Sequence, residues 1–278
     1  AEIRRITETP VRYIVNSHWH WDHWYGTEVY KQAFPSVQVV SQARTRAMML
    51  GPALEFNRPG IEQQLPGYVR MLEEKAAKDP SVRERLETAR FFLEQKRSVR
   101  HTPPDVTFEH SLDLDLGDRR VQVRHHERAV TPGDAFLYLP DQKVLITGDL
   151  LVNPMPFALS SYPTGWLATL AQLDALDASI IVPGHGEPLR DETLLHATMD
   201  VFRELLARGR EAHREGLDVH QARDRMLPAL EPLSARMVGT DPSRRQEFQI
   251  YVVDWFLHRV YDEMNGPLTD AIAPIPSS

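Results

Sequence analysis

The segment Ser17-His18-Trp19-His20-Trp21-Asp22-His23 carries three imidazoles and one carboxylate within a single short stretch. A β-rich run over residues 11–16 leads directly into it. Imidazole nitrogens and carboxylate oxygens are suitable ligands for Zn, Fe or Mn. On an extended backbone His18, His20 and Asp22 share one side, and a turn at Asp22-His23 directs the last two side chains at a neighbouring point. The segment therefore predicts a metal site, and it could serve two adjacent ions; a run of surface histidines is the less favoured interpretation.

Strand and helix patterns alternate along the rest of the chain. Helix formers and charges dominate residues 42–98, in the manner of an insertion, and residues 188–264 are mostly helical. A strictly alternating run at 112–116, followed by a turn and 121–123, predicts a hairpin. Further strands are expected at 37–40, 136–139, 144–146 and 180–182, with a helix at 167–176 and a tail at 266–278. These patterns predict an α/β core over residues 1–190 with a helical insertion at about 42–98, and a C-terminal helical region and tail over 191–278.

Composition excludes several classes of protein. The chain has 278 residues, 42% of them hydrophobic and 26% charged, which is typical of a globular protein. Its net charge of −7 argues against a nucleic-acid or anionic-membrane partner. No apolar run approaches the roughly 20 residues that span a bilayer, and the absence of cysteine excludes disulfides and thiolate chemistry. We expect a soluble protein, either cytoplasmic or periplasmic/secreted.

Four blocks of the sequence resemble the metallo-β-lactamase superfamily, whose fold is a four-layer αββα sandwich. The first is the HxHxDH pattern of residues 18–23, and the others follow in the family's order: Thr131-Pro132-Gly133-Asp134, Thr147-Gly148-Asp149 and Pro183-Gly184-His185-Gly186. The resemblance implies a first metal at His18 and His20, a second at Asp22, His23 and His185, and Asp149 between them. It further implies one or two Zn ions, with Fe or Mn as alternatives, and Asp22 as the catalytic residue beside metal-activated water.

Two departures from the family pattern affect this interpretation. Val130 stands where the family has the third histidine of the first metal, so that site keeps only His18, His20 and the shared Asp149. His125 or His126 could replace it only through a bulge or fold-back, because four extended residues span roughly 13 Å. Few residues precede His18, so we expect a truncated first sheet; because an exposed sheet edge is normally covered, a homodimer is a hypothesis.

An apolar substrate pocket is expected near the metal-binding segment. Trp19 interleaves the ligands, and Phe157, Tyr162 and Trp166 follow Asp149 in a segment that would overhang the metals. The alternative is that these side chains simply pack in the core. An aromatic stripe at helical spacing near residues 248–260 predicts core or a dimer interface rather than a cofactor site.

The expected function is metal-dependent hydrolysis of an ester, thioester or lactone. Within the superfamily, an aspartate at position 149 resembles the glyoxalase-II-like thioesterases and lactonases, and β-lactam hydrolysis is a weaker alternative. Val130 supports a second functional hypothesis, in which the chain is not an enzyme but a catalytically silent or metal-poor scaffold or interaction protein of the same fold. A redox di-iron protein is disfavoured, because that branch carries acidic ligands where His20 stands and adds a flavin domain.

Overall fold

Two β-sheets face each other in the computed structural model, which describes residues 2–274. Within this part of the chain the first sheet is parallel, in the order β1 (Tyr13–Val15), β2 (Gln38–Gln42) and β3 (Val106–Phe108). The second runs in sequence order through β4 (Ser111–Asp115), β5 (Arg120–Arg124), β6 (Phe136–Leu139), β7 (Val144–Gly148) and β8 (Ile180–Pro183). Its strands are antiparallel neighbours except for the parallel pair β7–β8. The predicted strands are all present.

Apolar side chains from both sheets fill the space between them. Val40 and Phe108 of the first sheet pack with Leu114, Val121 and Val123 of the second. The predicted hairpin is confirmed, since Leu114 of β4 lies opposite Val121 of β5. Apolar and polar residues alternate along β4 and β5, so each strand has one buried face and one more exposed face. This alternation places their buried leucines and valines inside the sandwich.

Helices cover the outer faces, which confirms the predicted αββα arrangement. The helices before the second sheet are α1 (Glu2–Ile6), α2 (Thr27–Ala33), α3 (Ala43–Leu50), α4 (Pro52–Pro59), α5 (Leu65–Ala76) and α6 (Arg83–Ser98). A π-helical segment, Gly60–Gln64, joins α4 to α5, and a 3₁₀ turn, Pro80–Val82, precedes α6. The predicted insertion is therefore α3 to α6, between β2 and β3. Its α5 and α6 pack through Val69, Leu72, Leu86 and Ala89.

The C-terminal region is helical, as expected. After α7 (Pro163–Asp174) come α8 (Thr193–Arg214), α9 (Val219–Val238), α10 (Pro242–Phe248), a π-helical segment (Gln249–Asp254) and α11 (Trp255–Asn265). Their buried side chains form one apolar core with Leu145 and Ile181 of the second sheet. Residues 267–274 follow without helix or strand, and residues 275–278 of the predicted tail lie outside the described residues. None of the helices within residues 2–274 has the length and apolar character needed to cross a membrane.

Candidate metal centre

Three strand ends supply the polar side chains of the site. The loop after β1 carries His18 and His20 and closes in a 3₁₀ turn, Trp21–His23, so that the backbone reverses at Asp22 and His23. Asp149 follows β7 and His185 follows β8. Because β7 and β8 are parallel, their carboxyl ends meet at the same sheet edge, and the amide of Gly184 donates to the carbonyl of Gly148 at 2.9 Å.

All six predicted ligand residues come together in two adjacent groups. His18, His20 and Asp149 form the first group, and Asp22, His23 and His185 form the second; within each, one ligand atom per residue lies within 4.8 Å of the others. Asp149 faces both groups. Its Oδ2 is 3.5 Å from His18 Nε2, whereas its Oδ1 is 3.3 Å from His23 Nε2 and 3.6 Å from His185 Nε2.

The donor atoms of the site fit divalent metal ions. His18 Nε2 and Asp149 Oδ1 are buried and have no hydrogen-bond partner among the described residues. Leaving a buried polar atom without a partner costs about 1–3 kcal/mol, a cost that a bound cation would remove. Burial and the neighbouring His18 lower the pKa of His20 to about 3, so this imidazole is neutral and able to ligate.

The remaining charges of the site follow from the close contact of acids and imidazoles. Burial alone would raise the pKa of Asp149, but His18 and His23 hold it well below its usual range. Burial opposes the charge on His23, yet Asp149 and Asp22 outweigh it and raise the pKa of His23 to about 9. The carboxylates of Asp149 and Asp22 are therefore ionised at neutral pH. Metal binding would displace a proton from His23.

Small residues let these strand ends approach one another. Ser17 Oγ lies 3.1 Å from His18 Nδ1 and orients that ring. A Cβ on Gly148, which has φ of 53°, would fall 2.6 Å from Ser17 Cβ, and one on Gly184 would fall 2.0 Å from Asp149 Oδ1. Neither position can carry a side chain without displacing the site.

The first ligand group has no third histidine. Val130 is buried in the apolar core with Leu150 and Trp166, and its side chain offers no donor. His125 Nδ1 lies 2.7 Å from the carbonyl oxygen of Asp134, to which it donates, and neither His125 nor His126 joins either ligand group within residues 2–274. The first group therefore rests on His18, His20 and Asp149.

A cavity of about 470 Å³ opens beside the two groups, a size typical of small-molecule sites. His20, Asp22, Asp149 and His185 form one side of it. The predicted pocket residues Trp19 and Phe157 line the cavity, and the remaining lining residues are Trp21, Phe56, Asn57, Val152, Met155, Pro156, Leu159, Ser160, Tyr251 and Trp255.

Tyr162 and Trp166, also expected in the pocket, lie elsewhere. The hydroxyl of Tyr162 donates to the carbonyl of Thr269, and the indole of fully buried Trp166 donates to the carbonyl of Leu150. The physical reason is that α7 begins at Pro163 and turns this stretch into the core. Sequence reasoning missed Phe56, Tyr251 and Trp255, although the C-terminal aromatic stripe was the available signal for the last two.

Comparisons with known proteins identify a family and several relatives for this chain. The family model of the metallo-beta-lactamase superfamily matches residues 1–185. A linear primary-alkylsulfatase from Pseudomonas sp. is 25% identical over 224 residues, which covers 74% of this chain and 40% of that protein. The structure of a stereoselective inverting sec-alkylsulfatase from Pseudomonas sp. is similar with a TM-score of 0.59 and 17% identity, covering 99% of this chain and 45% of the other. A metallo-beta-lactamase from Pontibacter korlensis has a TM-score of 0.47 and 20% identity, covering 73% and 74%.

The chain thus spans less than half the length of the two alkylsulfatases that it matches. The family match includes the loop after β1, Asp149 and His185, so it takes in every residue of the two ligand groups. The αββα order of the layers and the extent of this match show that the chain belongs to the metallo-β-lactamase superfamily.

Proposed function

We propose that the protein is a metal-dependent hydrolase of esters. The observation that carries this proposal is Asp149, whose two oxygens face separate ligand groups beside a cavity lined mainly by apolar side chains. His18, His20 and Asp149 would hold one ion, and Asp22, His23 and His185 the second; the imidazole and carboxylate donors suit Zn, with Fe or Mn as alternatives. Bound ions of this kind lower the pKa of water to roughly 7 and polarise the ester oxygen.

Asp22 is the proposed catalytic residue. It lines the cavity, and its side chain is 30% exposed, so a reacting water can reach it. Burial would raise the pKa of Asp22, but the hydrogen bond from His23 lowers it to about 2. Beside a bound cation the carboxylate of Asp22 would stay ionised, and it would accept a proton from the attacking water and deliver it to the leaving oxygen.

Sulfate esters of apolar alcohols are the proposed substrates. The alkylsulfatase relative supports sulfate esters among the classes of ester. The lining of the cavity bears on the alcohol portion of the substrate, because no lysine or arginine among the described residues lines it. An uncharged, apolar alcohol portion would fill such a cavity. Thioesters and lactones are the next choice, and β-lactams a weaker one. Because the net charge is −7, we expect small-molecule substrates rather than nucleic acid. The homodimer stays a prediction, which analytical ultracentrifugation would test.

The test is turnover of a substrate panel by protein loaded with Zn. Decyl sulfate, 4-nitrophenyl sulfate, 4-nitrophenyl acetate, a thioester, a lactone and a chromogenic cephalosporin would be compared, with metal per chain measured by elemental analysis. We expect two ions per chain and fastest turnover of decyl sulfate. Asp22→Asn should retain the fold and lose about 100-fold or more in kcat. A fully metallated protein inactive on the whole panel would refute the proposal.

Val130 favours a second candidate function, a catalytically silent scaffold, because its side chain has no donor atom and the first ligand group lacks a third histidine. Val130→His separates the two functions. A scaffold would stay inactive after the substitution, whereas an active architecture that lacks one ligand would gain both metal affinity and turnover. Val130→Leu, which introduces no metal donor, is the matched control.

A further inference from the structure

We propose that Trp255 is a specificity-determining residue, through which the C-terminal helical region sets the size of the apolar group that the cavity accepts. The inference rests on the proposed hydrolase function and deepens it. Trp255 is the first residue of α11 and lies outside residues 1–185, the part that the superfamily match covers. The ligand groups and this proposed selectivity residue thus come from different parts of the chain.

A row of aromatic contacts leads from the metal centre to α11. The ring of Phe157 lies 6.5 Å from that of His20, nearly perpendicular to it. Trp255 meets Phe157 edge to face, with ring centroids 4.4 Å apart. Tyr251 makes tilted contacts with both of the other rings, at 5.4 Å from Phe157 and 5.0 Å from Trp255. Offset and edge-to-face aromatic pairs are favourable beyond their buried area, so Phe157, Tyr251 and Trp255 form one continuous aromatic surface. We refer to these three residues as the aromatic wall.

The backbone fixes the aromatic wall in place. Tyr251 lies in the π-helical segment Gln249–Asp254, whose wider turns displace carbonyls from the usual helical ladder. The carbonyl of Tyr251 accepts a hydrogen bond of 3.0 Å from the amide of Ala158, the residue after Phe157. Val252 and Val253 of the same segment are fully buried and anchor it in the core. The loop after Asp149 is therefore tied to the C-terminal region at the point where both reach the cavity.

The chemistry of the wall identifies the class of group that it receives. Trp255 is 7% exposed, whereas Phe157 is 40% exposed and presents its ring at the cavity. Trp19 and Phe56 also line the cavity, and their ring centroids lie 6.0 Å apart, so they form another aromatic surface there. A linear alkyl group of the alcohol portion would extend from the metal centre along Phe157 and stop at Trp255.

Truncation of the wall should change the preferred chain length. The probes are alkane-1-sulfonates of four to twelve carbons, which carry a sulfate-like head that cannot be hydrolysed, measured by calorimetry on the Zn-loaded protein. In the wild type, affinity should rise about fourfold per methylene and then level off where the chain meets Trp255. Trp255→Ala should move that plateau at least two carbons longer and leave butanesulfonate binding within twofold. Trp255→Phe should give a smaller shift, which keeps the test informative if the alanine variant misfolds.

Ile250→Ala is the matched control. Ile250 belongs to the same π-helical segment, is 38% exposed and does not line the cavity, so its truncation should leave the plateau where it is. With alkyl sulfates as substrates, the Trp255 variants should shift the chain length at which KM stops falling, in the same direction as for the sulfonates. A merely structural role would lower activity at every chain length alike.

The outcomes separate this inference from the proposed function. An unchanged chain-length profile in both Trp255 variants, with ester turnover intact, would overturn the inference alone. A second series of probes, neutral 1-alcohols of the same chain lengths, measures the affinity of the aromatic wall for an alkyl chain that carries no anionic head. A shifted profile with alcohols and no turnover of any ester would support the wall and overturn the hydrolase. If the wild type bound neither series, the inference would be wrong.

Discussion

Asp149 directs its two carboxylate oxygens at different histidines, Oδ2 at His18 and Oδ1 at His23. The groups on either side therefore depend on one side chain. Asp149→Asn halves the donor oxygens and removes the negative charge, so we expect metal content to fall from two ions per chain to one or fewer. Turnover should fall by about 100-fold or more, because a ligand and its charge are lost together. Elemental analysis and initial rates would measure this. Asp134→Asn, another buried carboxyl substitution outside both ligand groups, should retain its metal. Equal metal content in the wild type and Asp149→Asn would contradict the assignment.

Gly184→Ala should disable the same site by steric means. The new Cβ would lie 2.0 Å from Asp149 Oδ1 and 2.7 Å from the carbonyl carbon of Gly148. Since backbone must move to relieve this overlap, we expect a loss of about 2–4 kcal/mol in the free energy of unfolding, together with weaker metal binding. Urea denaturation and metal titration would measure both.

Gly26→Ala is the matched control for that substitution. No atom lies within 4 Å of a Cβ built at Gly26, and its φ of −76° suits any residue. The free energy of unfolding should change by only about 0.5 kcal/mol or less. Similar losses in both variants would show that the crowding at Gly184 is not the cause.

Asp134 should make stability decline as pH rises from about 4 to 7. It is 3% exposed, and burial raises its pKa from 3.8 to about 7 despite hydrogen bonds from the amide and hydroxyl of Thr131. The folded protein keeps a proton that the unfolded chain has lost over this range, so its free energy of unfolding falls by up to about 1.4 kcal/mol per pH unit. Asp134→Asn can keep both Thr131 contacts without the charge.

The measurement for Asp134 is urea denaturation of metal-free protein at pH 5 and pH 8. The wild type should lose more stability than Asp134→Asn between these two values, and the variant should be the more stable protein at pH 8. Parallel pH profiles for the two proteins would show that the carboxyl of Asp134 does not titrate in this range.

Tyr162→Phe should lower the free energy of unfolding without changing the kinetics of substrate turnover. The substitution removes the hydroxyl that donates to the carbonyl of Thr269, which holds the tail against the core. Loss of one such buried bond costs about 1 kcal/mol. Because Tyr162 does not line the cavity, KM should stay within twofold of the wild type. A large change in KM with an unchanged free energy of unfolding would show that Tyr162 contacts the substrate after all.

Some strands of the fold and part of the candidate site could be predicted from local signals in the sequence. Alternation at residues 112–116 specifies a strand with one buried face, and the motif at residues 18–23 brings four potential ligands together before any folding occurs. Asp149 and His185 could be placed only through the family resemblance, since their proximity depends on the parallel pairing of β7 with β8.

The cavity was less predictable because its walls come from distant segments. Phe56 belongs to the insertion and Trp255 to the C-terminal region, and no local pattern reports that both face the same space. Tyr162 and Trp166 illustrate the opposite case. Proximity to Asp149 in sequence suggested a pocket lip, but the start of α7 at Pro163 directs both side chains away from the cavity.

The proposed metal ligands come from both sheets, since the loop after β1 follows a strand of the first sheet and Asp149 and His185 follow strands of the second. A metal ion held between them would act as a cross-link whose strength depends on the free metal concentration. The melting temperature of the protein should therefore rise with Zn concentration and fall on addition of a chelator. In a cell, metal supply would then govern how long the folded protein survives, quite apart from whether it turns over a substrate.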